Sequence, residues 1–209
     1  MLDTLIAYTV AAMLLTITPG LDTALVIRTA TVEGKRQAFS AAAGIGAGCL
    51  LWGAAVAFGL GALVAVSELA YNLLKYCGAA YLCWLGFQML RHPRQQFKTD
   101  LPPQTKDSNW FIKGMLGNAL NPKVGIFYVS FLPQFIPQGQ AIIAWTFGLV
   151  GIHVMLGALW AITLIKATQP LSNLLRRPHF LRWMDRATGG LFVTFATLLV
   201  FSNQPATAR

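Results

Sequence analysis

Two charged residues sit where an apolar chain tolerates them least. Asp22 ends the stretch Thr18-Pro19-Gly20-Leu21-Asp22 inside the first long apolar run, and Lys123 ends Asn118-Ala119-Leu120-Asn121-Pro122-Lys123 inside the fourth. An ionised side chain at membrane depth costs about 2.5–3.5 kcal/mol on insertion scales, so such residues are candidates for binding or transport. Each follows a proline, Asp22 by three residues and Lys123 directly, and proline removes a backbone donor and interrupts the helix. One fixed acid and one fixed base at two breaks suit a small zwitterion, with Asp22 facing an ammonium and Lys123 a carboxylate. His153, near the middle of the fifth apolar run, adds a group able to relay protons.

Each of these residues also has a purely structural reading. Asp22 can compensate the dipole of a half-helix beginning at Pro19, or pair with Lys123 so that both are tolerated. Lys123 is an odd structural choice, because a cation near a helix N-terminus opposes the dipole. Asn118 and Asn121 can cap freed backbone groups without touching a ligand, and His153 can be a hydrogen-bonded packing residue. Cys49, Cys77 and Cys83 lack metal-type spacing and read as small buried hydrophobes.

The elements that must position these groups are membrane helices. The chain is 56% hydrophobic and 11% charged over 209 residues, where a soluble domain carries about 25% charge. Its net charge of +9 is no nucleic-acid signature, because the basic residues fall between apolar runs rather than on one face. The N-terminus lacks the basic start and short apolar core of a cleavable signal peptide. Six runs approach the roughly 20 residues needed to span a bilayer: Thr4 to Ile27, Ala38 to Val66, Ala70 to Leu90, Phe111 to Phe135, Ala141 to Ile165, and a weaker last one from about Met184 to Phe201. If that last run fails, five spans remain. For it to span, Arg182 and Arg186 need to snorkel to the interface; Trp110 and Tyr71 read as interface anchors.

Charge sets the orientation. Three alternate connections hold 13 of the 16 basic residues, among them Arg28, Lys35 and Arg36, then Arg91, Arg94, Lys98, Lys106 and Lys113, then Lys166, Arg176 and Arg177. Those connections are expected on the cytoplasmic side, with both termini outside.

The two breaks repeat each other. An offset of 103 residues superposes Thr18-Pro19 on Asn121-Pro122, Ala38 on Ala141 and Gly48 on Gly151. Three spans per half is odd, so the halves must be inverted, a common transporter plan. The expected organisation is a repeat over 1–92, a linker over 93–110 and a second repeat over 111–205. Thr18 and Asn121 read as N-caps, with Pro19 and Pro122 at the first helical position. Both new N-termini then point at the midplane and favour an anion. Gly44, Gly46 and Gly48 give the second span a small-residue face for close helix contact. The glycine faces of spans two and five are expected to let the halves rock.

In this order and at this length, the two motifs resemble the LysE/RhtB family of bacterial amino-acid exporters. The first family motif reads Thr-Pro-Gly-Pro-Asp, against Thr18-Pro19-Gly20-Leu21-Asp22 here. The second appears as Asn121-Pro122-Lys123, followed by Phe131-Leu132-Pro133-Gln134-Phe135. Leu21 departs from the family's second proline, which bears on pocket shape. The resemblance implies proton-driven export of an amino acid such as threonine, homoserine, leucine or cysteine across the bacterial inner membrane. It implies no cofactor and no enzymatic step, and leaves a homo-oligomer open. The expected substrate site comprises Thr18, Pro19, Gly20, Asp22, Asn118, Asn121, Pro122 and Lys123, with Asp22 and His153 for proton coupling. A metal exporter wants several acids or histidines at membrane depth, and a membrane enzyme wants a nucleophile with a matched base.

Overall fold

The computed structural model describes residues 2–66, 68–93, 109–137, 139–167 and 177–201. The described residues are helical and contain no strand. Most of the expected 93–110 linker, the end of the second repeat past residue 201, and Arg94, Lys98, Lys106 and Arg176 lie outside them, as does the Tyr71 side chain.

The first apolar run becomes α1 (Leu2–Ile17) and α2 (Leu21–Val32), bent by 50° at the break. Along α1, Leu2, Ile6, Val10 and Met13 form an exposed apolar stripe, while Tyr8, Ala11, Ala12 and Leu15 are buried. That pattern suits a helix with lipid on one side and protein on the other. Gly34, at φ 97, ends α2 by donating its N–H to Thr29 O at 3.0 Å. Glycine adopts this left-handed backbone without strain, and the chain turns back into α3 (Lys35–Val66). Then follow α4 (Glu68–Arg91), α5 (Trp110–Ala119), α6 (Pro122–Ile126), α7 (Ile142–Lys166) and α8 (Pro178–Phe201).

Of these, α3 and α7 are each long and apolar enough to cross a membrane, and the bent pair α1 and α2 passes together. The 32 residues of α3 rise about 48 Å, more than a bilayer core, so it must tilt. The last helix begins at Pro178 rather than near Met184. It is amphipathic: Arg182, Trp183 and Arg186 are exposed while Leu181, Met184, Asp185 and Thr188 are buried.

Glycines set the tightest crossings. A Cβ on Gly44 would stand 2.0 Å from Phe111 O, and one on Gly114 would stand 2.0 Å from Ala41 O. Hence α3 and α5 meet backbone to backbone. Gly86 and Gly189 do the same between α4 and α8. The expected glycine face on α7 differs, because Gly148, Gly151 and Gly157 have open space where a Cβ would stand. Gly48 and Gly151, matched by the repeat offset, are therefore not equivalent in packing. Trp110, read as an interface anchor, is buried at the start of α5, with the Lys113 ammonium 4.7 Å over its ring.

Two clusters mark the two ends of the bundle. Val26, Ile27, Ala38, Leu164 and Ile165 pack together with Phe180. They tie the ends of α2 and α7 to the starts of α3 and α8, which gathers Arg28, Lys35, Lys166 and Arg182 at one end. Toward the other end, Tyr8, Phe127, Phe131 and Phe135 are buried in the larger cluster.

Candidate functional site: two helix breaks around one cavity

The first break grows out of its own sequence. Thr16 and Thr18 donate their hydroxyls to Ala12 O and Leu14 O at 2.7 and 2.5 Å. Such back-bonding weakens a helix end. Pro19 then has no N–H for Leu15 O. Thr18 does not cap the next helix as expected, because its hydroxyl is spent on Leu14 O and on the Thr188 hydroxyl 2.5 Å away. Gly20 is the N-cap, with extended backbone and no side-chain hydrogen bond to the helix. Pro19 therefore lies in the bridge between α1 and α2, and the first N–H groups of α2 have no side-chain cap.

The second break follows expectation more closely. Asn121 caps α6, its side-chain oxygen accepting from Lys123 N at 3.1 Å, and Pro122 stands in the first turn. However, α6 is only five residues long before the backbone widens into a π-type turn over Phe127–Phe131 and tightens over Leu132–Phe135. The matched pair of anion-accepting helix ends thus reduces to one, that of α2. Pro133 interrupts this last stretch, and the Gln134 amide donates to Ser130 O at 2.8 Å.

The breaks are cross-linked in both directions. Asn118, just before the second break, donates its amide to the Asp22 carboxylate, just after the first, at 2.8 Å. Lys123, just after the second break, donates its ammonium to Leu15 O at 3.0 Å and Thr18 O at 3.1 Å, just before the first. A cation at a helix C-terminus complements the dipole. The puzzle of a lysine in the first turn of a helix is resolved by the other helix end it serves. The Asn118 Oδ1 is buried with no hydrogen-bond partner. Gly48 makes room for that side chain, since a Cβ there would stand 2.7 Å from Oδ1.

The charged and amide side chains of the two breaks line one cavity of about 480 Å³. Thr18, Gly20, Asp22, Asn118, Asn121 and Lys123 form its polar end; Pro19 and Pro122 shape the breaks without lining it. From there it runs beside Val26, Phe39, Ala42, Trp160 and Leu164, toward the end that carries the basic residues. On the opposite side of the breaks lie packed aromatics, none of which lines the cavity. Phe127, Phe131 and Phe135 follow one another at centroid distances of 4.9 and 4.7 Å, with Tyr8 against Phe135 at 5.4 Å.

His153 stands at the junction. Its Nδ1 is 3.0 Å from the Tyr128 hydroxyl, its ring packs against Phe127, and it is buried while still lining the cavity. That is the geometry of the packing histidine. Cys49 is buried on the cavity wall, but Cys77 and Cys83 are exposed on α4, against the expectation that all three are buried. Membrane helices present apolar and thiol side chains to lipid at little cost.

The profile of LysE type translocators matches residues 13–203. The chain belongs to that family. This translocator is 31% identical to an uncharacterized membrane protein of Vibrio cholerae over 93% of this chain and 95% of the relative. It is 28% identical to the threonine efflux protein of Escherichia coli K12, over 88% and 91%. To the homoserine/homoserine lactone efflux protein of Salmonella typhimurium it is 29% identical, over 92% and 94%. No solved structure matches it.

Two residues of the translocator's site region escaped sequence reasoning. Thr188 braces Thr18 at the first break, and Asp185, one turn earlier on α8, is 1% exposed. The signal was present in the spacing of Leu181, Met184, Asp185 and Thr188, which puts the acid and the threonine on the apolar face.

Proposed function

We propose that this translocator is a secondary-active exporter of neutral amino acids or close derivatives, of the threonine, homoserine, leucine or cysteine type. It works across the bacterial inner membrane and exchanges its solute for protons. Its architecture is six spans in two inverted repeats, 1–92 and 111–205, joined by a cytoplasmic linker over 93–110, with both termini outside. The helix bounds, the two proline breaks and the efflux relatives support this reading. One observation carries it: an acid and a base from different halves of the chain meet on the polar end of one cavity.

The roles follow from the contacts. Asp22 receives the solute ammonium, or the coupling proton once the solute has left. Asn118 holds that carboxylate in place. The solute carboxylate lies against the uncapped first turn of α2 and the positive charge of Lys123. Lys123 does so while fastened to α1, so it acts through its charge and its placement of the breaks. His153, tied to Tyr128, is a secondary member of any proton path. With the basic end in the cytoplasm, the cavity faces the cytoplasm and the packed aromatics lie on its outer side. That is the loading state of an exporter.

An inorganic-ion exporter is disfavoured by the chemistry of the wall. Among the described residues lining the cavity, Asp22 is the one carboxylate and His153 the one histidine, fewer than a hard or borderline cation wants. The test is solute counterflow in proteoliposomes holding the purified chain, with and without an imposed pH gradient. Accumulation of one or more neutral amino acids, increased by the gradient, is expected. If no amino acid accumulates, the reading fails.

A further inference from the structure

Taking the amino-acid reading above as its basis, we propose that the solute side chain is apolar and of leucine to phenylalanine size, and that Gly157 on α7 sets the upper limit. The cavity is sharply divided. Its charged and amide groups are confined to the helix breaks, where the ammonium and carboxylate of any amino acid must go. Beyond them a side chain meets Val26, one turn along α2 from Asp22 on the same face. It also meets Ile45 from α3, and Ala158, Trp160 and Ala161 from α7. Thr16, Thr18 and Thr23 also line the cavity; the hydroxyls of the first two are committed to carbonyls of α1, and Thr23 follows Asp22 directly at the break.

Apart from Thr23 beside the break and the buried indole N–H of Trp160, a side-chain hydroxyl placed against that wall would give up water without gaining a partner. An apolar side chain placed there gains from leaving water, roughly in proportion to its buried area. The space is generous as well: a Cβ built on Gly157 meets nothing within 4 Å. The missing side chain at Gly157 therefore leaves room on the wall that a larger residue would fill without disturbing α7. The preference differs from the hydroxylated amino acids named in two of the relatives.

The full chain in proteoliposomes is tested by counterflow of leucine, phenylalanine, alanine, threonine and serine at equal concentration. Leucine and phenylalanine are expected to move at least about tenfold faster than threonine and serine, the scale on which an apolar pocket discriminates. Gly157→Leu is expected to slow phenylalanine and leucine about tenfold more than alanine, at unchanged melting temperature. Gly157→Ala gives a smaller effect in the same direction, and Val26→Thr narrows the gap between leucine and threonine. Threonine or serine moving fastest, or Gly157→Leu and Gly157→Ala slowing all five solutes equally, would overturn the proposal while leaving the exporter reading intact. Movement of no amino acid would overturn both.

Discussion

The ammonium of Lys123 lies 3.0 Å from the carbonyl oxygen of Leu15, the acceptor that would have received the N–H Pro19 lacks. A residue more than a hundred positions away thus completes a hydrogen bond broken by the first motif. The same ammonium reaches Thr18 O, which closes the last turn of α1. In return, Asn118 reaches across to Asp22. The two motifs are therefore one structural unit, each supplying what the other interrupts.

Removing the Lys123 ammonium leaves two part-buried carbonyls without this donor. An orphaned buried acceptor costs about 1–3 kcal/mol. Lys123→Met is expected to lower the apparent melting temperature in detergent by several degrees, since about 1 kcal/mol shifts a chain of this size by roughly 2–4 °C. Lys123→Gln, which keeps a donor, recovers part of that loss but not transport.

Restoring the missing donor makes the opposite case. Pro19→Ala offers Leu15 O its own helical N–H and competes with Lys123 for it. Transport is expected to fall about tenfold or more, the scale of a misplaced binding group, while the melting temperature holds or rises. Counterflow and thermal unfolding of the same preparation check both halves.

The glycines divide into those that cannot be changed and those that can. Gly44→Ala puts a methyl against the Phe111 carbonyl, where backbone must move, and overpacking of this kind costs about 1–3 kcal/mol or more. Gly148→Ala meets open space and should stabilise α7 by about 0.5–1 kcal/mol. Melting curves of the two variants are expected to move in opposite directions.

Thiol labelling reads the state of the cavity. In variants keeping one cysteine each, Cys49 is expected to react with small cytoplasmic thiol reagents, and saturating amino acid should slow that reaction several-fold. Cys77 and Cys83, exposed on α4, should show no protection.

Much of this was legible because membrane helices announce themselves by length and apolarity. The helices α3 and α7 lie within a few residues of the runs Ala38 to Val66 and Ala141 to Ile165. The breaks were visible because proline and glycine interrupt helices from within the local chain. What stayed hidden depends on neighbours distant in sequence. Thr18 had the chemistry of an N-cap, but its hydroxyl found Leu14 O and Thr188 first. Lys123 opposes the dipole of α6, in whose first turn it stands, but its side chain serves the end of α1, more than a hundred residues away. The start of α8 was missed because Arg182 and Arg186 lie on its exposed face, and a linear hydropathy average cannot separate faces. The side-chain end of the cavity draws on three helices, and no single stretch of sequence displays it.

The most direct test of the central claim is amino-acid binding and counterflow by Asp22→Asn. Asparagine keeps the size and an acceptor for Asn118 and removes only the charge, so the fold should persist. Losing a charge-assisted contact costs about 1.5–3 kcal/mol. The account predicts binding weakened by about tenfold or more and transport lost, at a melting temperature close to that of the unaltered chain. Full binding and transport by Asp22→Asn would contradict it.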